Sequence, residues 1–293
     1  MKKIAVITNF NIRQKASAAL TVCERLSALG CEIFVASFNR ERIQRNAGTD
    51  KSEMIRYVPS EKLYDEIDLV VVLGGDGTIL ESARRAIPAK KPILGINLGR
   101  LGYMAELELN ELDKLDNIVR GDYETEERMV LYVEIFTKEG KKRFSSFALN
   151  DAVISNGSVA RIVDIQLSEG GSEVSRYRAD GVIVATPTGS TAYSMSAGGA
   201  VVDPRLECFC VTPVCPHTLG SRPLIFPSNA DIELKNICER EKALFVTLDG
   251  RSNQELLLGE TVRITKSDLQ AKLVRLSHGG FYNKLRAKMN SKF

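Results

Sequence analysis

Five consecutive apolar residues, Leu69-Val-Val-Val-Leu73, run directly into Gly74-Gly75-Asp76-Gly77-Thr78 and then into a helical pattern over about Ile79–Ala86. A strand of that composition suits burial on both faces, which a parallel sheet covered by helices provides. The rest of the first hundred residues follows the same plan. Ile4–Thr8 reads as a strand, and the helix after it carries Ala16, Ala19, Leu20, Cys23 and Leu26 at helical spacing and closes at Gly30. Glu32–Ala36 and Pro92–Ile96 supply further strands around a polar stretch at Arg40–Lys51. Repeated strand-helix-strand order predicts an α/β domain whose ligands gather beyond the carboxyl ends of its strands.

After about Asn110 the pattern changes to strands at short spacing separated by turn signals. Val130–Phe136 alternates and meets Lys138-Glu139-Gly140-Lys141, a hairpin turn into a strand over Phe144–Val153. Ile162–Leu167, Val174–Arg178, Val182–Ala185, Cys208–Thr212, Asp231–Leu234, Ala243–Leu248 and Thr261–Ile264 continue the series. Phe281, Leu285 and Met289 then mark a short amphipathic helix whose basic face is expected to be solvated. The expected division is an α/β domain over 1–110, an all-β, sandwich-like domain over 111–266, and a C-terminal segment over 267–293.

Forty Lys and Arg against 37 Asp and Glu leave a net charge of +3, too mild a balance for a dedicated nucleic-acid binder. Only four apolar residues, Ile4–Ile7, follow Met1-Lys2-Lys3, short of a signal-peptide core. No apolar run reaches the ~18 residues of a membrane-spanning helix. A cytoplasmic protein with reduced cysteines is therefore expected, with neither nucleic acid nor membrane as partner. Cys208, Cys210, Cys215 and His217 superficially resemble a soft-metal ligand set. The alternation along Cys208–Val211 fits core cysteines on a strand better, so no protein metal site is expected.

The glycines of the 74–78 loop are expected to permit positive φ and to let a phosphate approach backbone bare of Cβ atoms, with helix N–H groups receiving its charge. Asp76 is the odd member. A carboxylate in a phosphate cradle repels the phosphate unless a divalent cation or a reacting hydroxyl stands between them, and both belong to phosphoryl transfer. The plainer alternative makes Asp76 a helix N-cap. A second cluster, Thr186-Pro-Thr-Gly-Ser-Thr-Ala-Tyr-Ser194 continuing through Met195 and Ser196 to Gly199, is dense in hydroxyls. These suit a sugar, base or phosphate, or else a turn with a hydroxyl cap. Arg176, Arg178 and Asp180 precede it, as a surface ion pair or a phosphate clamp. The Asn150 amide matches the donor and acceptor of an adenine edge, although Asn-Asp is also a common turn pair.

Together these residues resemble the NAD kinase family. The resemblance is carried by Gly74–Thr78, Asn97-Leu-Gly-Arg-Leu-Gly-Tyr-Met104, Asn150-Asp151, Arg178-Ala-Asp180-Gly, Thr186–Ser196 and Pro216-His-Thr-Leu219, in family order over almost the whole chain. It implies an N-terminal α/β domain of Rossmann-like or phosphofructokinase-like kind, a sandwich-like C-terminal domain, and a final segment returning to the first domain. It also implies Asp76 as general base toward the 2′-hydroxyl of the adenosine ribose of NAD, with ATP as phosphoryl donor. Gly74, Gly75, Gly77 and Thr78 would frame the transferred phosphate, with magnesium, or manganese, on the triphosphate. Asn150 would read adenine and Asp151 would hold ribose hydroxyls. Thr191, Ala192, Tyr193, Ser194, Met195 and Ser196 would line the NAD site, with Arg178, Asp180 and Arg161 as further contacts. Homo-oligomers, dimers or tetramers, are implied as well. The chain departs from the family pattern at Arg251, where many members carry Gln, and in its cysteine-rich strand. Lipid and sugar kinases sharing Gly-Gly-Asp-Gly are the nearest enzyme rivals, and a non-catalytic NAD(P) sensor is the rival of another class.

Overall fold

A computed structural model of the chain describes residues 2–47, 52–99, 102–157, 161–218, 220–240, 243–276 and 280–290, apart from the side chains of 46, 47 and 252. It divides into two compact units, residues 1–127 with 271–293, and residues 128–270.

In the first unit the strands are β1 (Lys3–Ile7), β2 (Glu32–Ala36), β3 (Ile55–Val58), β4 (Leu69–Gly74), β5 (Ile93–Asn97), β6 (Leu107–Glu108) and β7 (Glu124–Arg128), the last ending at the unit boundary. The helices are α1 (Arg13–Ala28), α2 (Arg40–Ala47), α3 (Leu63–Glu66), α4 (Asp76–Ala86) and α5 (Leu115–Arg120). The second unit holds β8 (Leu131–Phe136), β9 (Lys142–Ala148), β10 (Asp151–Ser155), β11 (Val163–Glu169), β12 (Ser172–Ala179), β13 (Gly181–Ala185), α6 (Tyr193–Ser196), β14 (Cys208–Val214), β15 (Leu224–Pro227), β16 (Ile232–Asn236), β17 (Ala243–Leu248), β18 (Arg251–Leu257) and β19 (Thr261–Lys266). β20 (Ala271–Arg275) and α7 (Gly280–Asn290) return the chain to the first unit.

The first unit is one sheet in the order β3-β2-β1-β4-β5-β20-β7, with β6 on β5. The β1–β5 ladders are parallel, and β20 joins β5 in parallel at Leu273 opposite Ile93. Every residue of β4 and β5 is buried, which accounts for their unbroken apolar runs. Gly30 closes α1 with φ +81, the left-handed turn that glycine adopts without a Cβ penalty. The unit extends past residue 110 because Leu115 and Ile118 of α5 join the core beneath α1 and β1. C-terminal residues insert a strand at β5, so the unit is built from both ends of the sequence.

The second unit has two antiparallel six-stranded sheets, β15-β14-β13-β10-β17-β18 and β12-β11-β16-β19-β8-β9. Leu131, Val133, Ile165, Leu167, Leu234 and Val262 of one sheet share a core with Ile154, Val182, Val184, Phe209, Val246 and Leu248 of the other. β8 alternates buried and half-buried residues, as a strand with one face on a core does. The expected single strand over 144–153 is instead β9 and β10, which belong to different sheets. The chain breaks at Leu149–Asn150, where the Asp249 carboxylate captures successive backbone N–H groups. Among the described residues no helix is long and apolar enough to cross a membrane.

Candidate active site

β4 delivers the glycine loop to the carboxyl edge of the parallel sheet, and α4 starts immediately beyond it. Gly75 is the N-cap, with φ −95 and ψ −177, and no side chain caps the helix. Asp76 is thus the first helical residue and does not serve as the N-cap. The reason expected for the glycines also changes, since Gly74, Gly75 and Gly77 are not among the positive-φ residues. A Cβ on Gly74 would lie 2.4 Å from Thr78 Oγ1, so close packing excludes a side chain there. At Gly75 and Gly77 a Cβ would meet nothing within 4 Å, which leaves bare backbone beside the first turn of α4, where the Thr78 N–H already donates to the Gly75 carbonyl at 2.9 Å.

The Asp76 carboxylate is half-buried and held from the segment after β5. The Tyr103 N–H donates to Oδ2 at 2.8 Å and the Met104 N–H to Oδ1 at 3.1 Å. Each oxygen therefore keeps acceptor capacity, while the plane of the carboxylate is fixed. Gly102 is required by this contact, because a Cβ there would fall 2.1 Å from Asp76 Oδ1. Upstream, the Asn97 side chain folds its own turn, donating to the Gly99 carbonyl at 2.9 Å and accepting its N–H at 3.3 Å. Arg100 and Leu101 of this stretch lie outside the described residues.

The C-terminal segment fastens the same loop. The Arg275 guanidinium donates to the Met104 carbonyl and to Glu106, both at 3.2 Å, and to Glu126 at 2.6 Å. Glu106, whose side chain is only 2% exposed, also accepts the Leu276 N–H at 3.0 Å. Lys284 of α7 donates to the Ala105 carbonyl and lies 3.7 Å from Glu106. Lys288 stands 3.9 Å from the centre of the Tyr103 ring, with Phe281 on that ring at 6.1 Å. The basic residues of α7 expected to be solvated thus include two that face inward. Burial pushes the Tyr103 phenol up, and the Asp76 carboxylate adds to the shift.

In the second unit, Leu149, Asn150 and Asp151 donate their N–H groups to the Asp249 carboxylate at 2.9, 2.8 and 3.2 Å. Asp249 (φ +51) and Gly250 (φ +69) form the turn between β17 and β18, the left-handed pair of a tight hairpin. Asp249-Gly250 is a sequence signal for such a turn. It does not reveal that the carboxylate organises residues a hundred positions earlier. Asn150 Oδ1 is buried without a hydrogen-bond partner. An acceptor in that condition calls for a donor from a ligand or ordered water. Asp151 is 5% exposed, and burial, with Asp249 nearby, raises its carboxyl to about 7.

The hydroxyl-rich segment divides its residues. Thr186, Thr188, Ser190 and Ser194 are buried. Thr186 donates to the Leu149 carbonyl at 2.6 Å, Ser190 to the Pro187 carbonyl at 2.6 Å, and Arg128 to Thr188 at 3.1 Å, while Ser194 shares a 3.0 Å bond with Thr212. These hydroxyls build the turn, and Ala197 and Val202 beyond it pack against Val153, Ile183 and Cys210 on β10, β13 and β14. Tyr193, Met195 and Ser196 are exposed, and Thr191 and Ala192 half-buried. Arg178 is exposed at the end of β12, Asp180 is half-buried just after it, and Arg161 is exposed before β11. Cys208 and Cys210 are buried on one face of β14, whereas Cys215 and His217 are exposed and Leu219 lies outside the described residues.

Residues 4–123 match the family of ATP-NAD kinase N-terminal domains, and residues 149–276 that of ATP-NAD kinase C-terminal domains. The NAD kinase of Citrifermentans bemidjiense is 38% identical over 290 residues, 99% of this chain and 98% of that protein. The NAD kinase of Heliobacterium modesticaldum is 43% identical over 79% of this chain and 82% of its own. Among solved structures, yeast NADH kinase complexed with NADH superposes with a TM-score of 0.90 at 25% identity, covering all of this chain and 89% of that one. An NAD kinase from Archaeoglobus fulgidus in complex with ATP gives a TM-score of 0.72 at 28% identity, with both chains fully covered. With both domain families matched in order and relatives of this identity spanning its length, the chain belongs to the ATP-NAD kinase family of enzymes, which phosphorylate NAD with ATP.

Proposed function

We propose that the accepting group is the 2′-hydroxyl of the adenosine ribose of NAD and that Asp76 is its general base. The carrying observation is that Asp76 caps no helix, yet its carboxylate is fixed by two N–H donors at the mouth of the glycine loop. Asp76 accepts the hydroxyl proton as the ribose oxygen forms its bond to the γ-phosphorus, and the bond from that phosphorus to the β,γ-bridging oxygen breaks to release ADP. Gly74, Gly75, Gly77 and Thr78 seat the transferred phosphoryl group against first-turn N–H groups of α4. A divalent cation, magnesium or manganese, would be held by the triphosphate itself and would supply neutralisation of its charge.

Asn150, with its orphaned buried oxygen, pairs with the adenine edge of NAD, accepting from the exocyclic amine. Asp151 holds ribose hydroxyls. Thr191, Ala192, Tyr193, Met195, Ser196, Arg161, Arg178 and Asp180 complete the dinucleotide contacts, and Ser194 supports them from beneath. The enzyme works in the cytoplasm as a homo-oligomer.

Protein incubated with Mg-ATP and NAD, and assayed with an NADP-specific dehydrogenase, yields NADP. Asp76→Asn folds and binds NAD but loses about 10²–10⁴-fold in kcat, the usual contribution of general-base assistance. Undiminished turnover in that variant would remove Asp76 from the proton transfer.

A further inference from the structure

The Asp76 carboxylate takes its orientation from the N–H groups of Tyr103 and Met104, so whatever holds those peptides also aims the carboxylate. Residues 102–106 belong to no helix or strand, and backbone outside a ladder must find other partners. Downstream the segment is anchored on β5, where the Glu106 N–H donates to the Gly95 carbonyl at 2.8 Å and Leu107 pairs with Ile96. Nearer to Asp76, side chains of the C-terminal segment take over. Arg275 donates to the Met104 carbonyl at 3.2 Å, and Lys284 donates to the Ala105 carbonyl.

We propose that Arg275 and Lys284, gathered by Glu106, are positioning residues for the phosphoryl transfer, fixing through the Met104 and Ala105 carbonyls the two N–H donors that aim Asp76. The inference rests on the reading of Asp76 as general base. Both cations converge on one carboxylate. Glu106 accepts from Arg275 at 3.2 Å and from the Leu276 N–H at 3.0 Å, and lies 3.7 Å from Lys284. The side chains of Glu106, Arg275 and Lys284 are 2%, 14% and 15% exposed. Charges so enclosed are weakly screened, and each is costly to bury unless its partners are in place, so the cluster has one favoured arrangement.

The alternative is that these contacts only hold the fold together, and α7 argues against it. None of its residues is buried, so its docking adds little apolar burial to the first unit. What it delivers is Lys284 on the Ala105 carbonyl and Lys288 at 3.9 Å from the centre of the Tyr103 ring, two cations on the segment that holds Asp76. A helix that gives the core so little and this segment so much is placed to serve the segment. Misplacement of a reacting group by about 1 Å costs about 100-fold in rate, so a small slackening of the Tyr103 and Met104 peptides is enough to be read in turnover.

The test is a double-mutant cycle. Arg275→Met should lower kcat about 100-fold and Lys284→Met about tenfold, with the KM values for NAD and ATP within about twofold of wild type. In an Asp76→Asn background there is no base to aim, so Lys284→Met should lower the residual kcat by less than about twofold. An equal loss in both backgrounds would make Lys284 a structural residue and overturn the proposal, as would unchanged kcat in both single variants. Lys284 stands on a helix without buried residues, so its cycle decides the matter even if Arg275→Met does not fold. Arg143→Met is the control, because it takes a guanidinium from Glu260, a carboxylate 6% exposed in the second unit. It should lower the urea midpoint and leave kcat alone; a matching fall in its kcat would trace the losses to stability and overturn the positioning role. Undiminished turnover in Asp76→Asn by itself would overturn the general-base reading first, and this proposal with it.

Discussion

The loop after β4 and the loop after β13 look alike in sequence, each a strand running into glycine and hydroxyl residues, yet they spend those residues differently. In the first, Gly75 and Gly77 leave open backbone, and the one charged group, Asp76, is pinned from a neighbouring segment. In the second, the hydroxyls of Thr186, Thr188, Ser190 and Ser194 turn inward: Thr186 and Ser190 bond backbone of the loop, and Thr186, Thr188 and Ser194 tie it to Leu149, Arg128 and Thr212. A buried segment without a regular ladder must find partners for its backbone, and short hydroxyl side chains supply them. Hydroxyl density in a sequence therefore marks a self-supporting turn as readily as a ligand surface.

Two glycine substitutions turn this contrast into a measurement. A Cβ at Gly102 would collide with the Asp76 carboxylate, and a Cβ at Gly189 would fall 2.0 Å from the Asn150 carbonyl oxygen. Gly102→Ala moves the base, so kcat should fall about 100-fold, the scale of a 1 Å misplacement, with a small change in urea midpoint. Gly189→Ala strains a buried turn, so it should cost about 3 kcal/mol of stability in urea unfolding. Both losses appearing in stability alone would mean that Asp76 positioning does not limit turnover. Both appearing in kcat alone would mean that the second loop is no more structural than the first.

What the sequence reveals follows from how far apart the cooperating residues are. The buried strand, the glycine turn and the helix after it are contiguous, so β4, the loop and α4 can be read directly from residues 69–86. The alternation of Val130–Phe136 exposes β8 for the same reason. The partners of Asp76 come from Tyr103 and Met104, and their segment is fastened in turn by Arg275 at the Met104 carbonyl and Lys284 at the Ala105 carbonyl, which no periodicity connects to residue 76. The break between β9 and β10 is equally hidden, because the Asp249 carboxylate that causes it lies a hundred residues on. Composition does not separate the inward hydroxyls of this cluster from the outward ones, since a serine gives no sign in sequence of which way its oxygen faces.

Asp151 provides the smallest test and the one that places the second loop nearest to ligand chemistry. Burial first, and the Asp249 carboxylate second, hold its carboxyl at about 7, well above the ordinary aspartate value of 3.8. Asp151 is therefore mostly protonated at pH 6 and mostly ionised at pH 8. A carboxylate accepts from ribose hydroxyls with both oxygens, whereas the protonated acid has given up part of that capacity. If Asp151 holds the ribose, the KM for NAD should fall about five- to tenfold as pH rises from 6 to 8, with the midpoint near 7. The KM for ATP should not follow that curve. Asp151→Asn, nearly isosteric and never charged, should leave a KM for NAD that is flat over the same range. A wild-type KM for NAD without that slope would take Asp151 out of the ribose contact. The neighbouring carboxylates of Asp151 and Asp249 would then join the hydroxyls of Thr186 and Ser190 as part of the framework of the second unit.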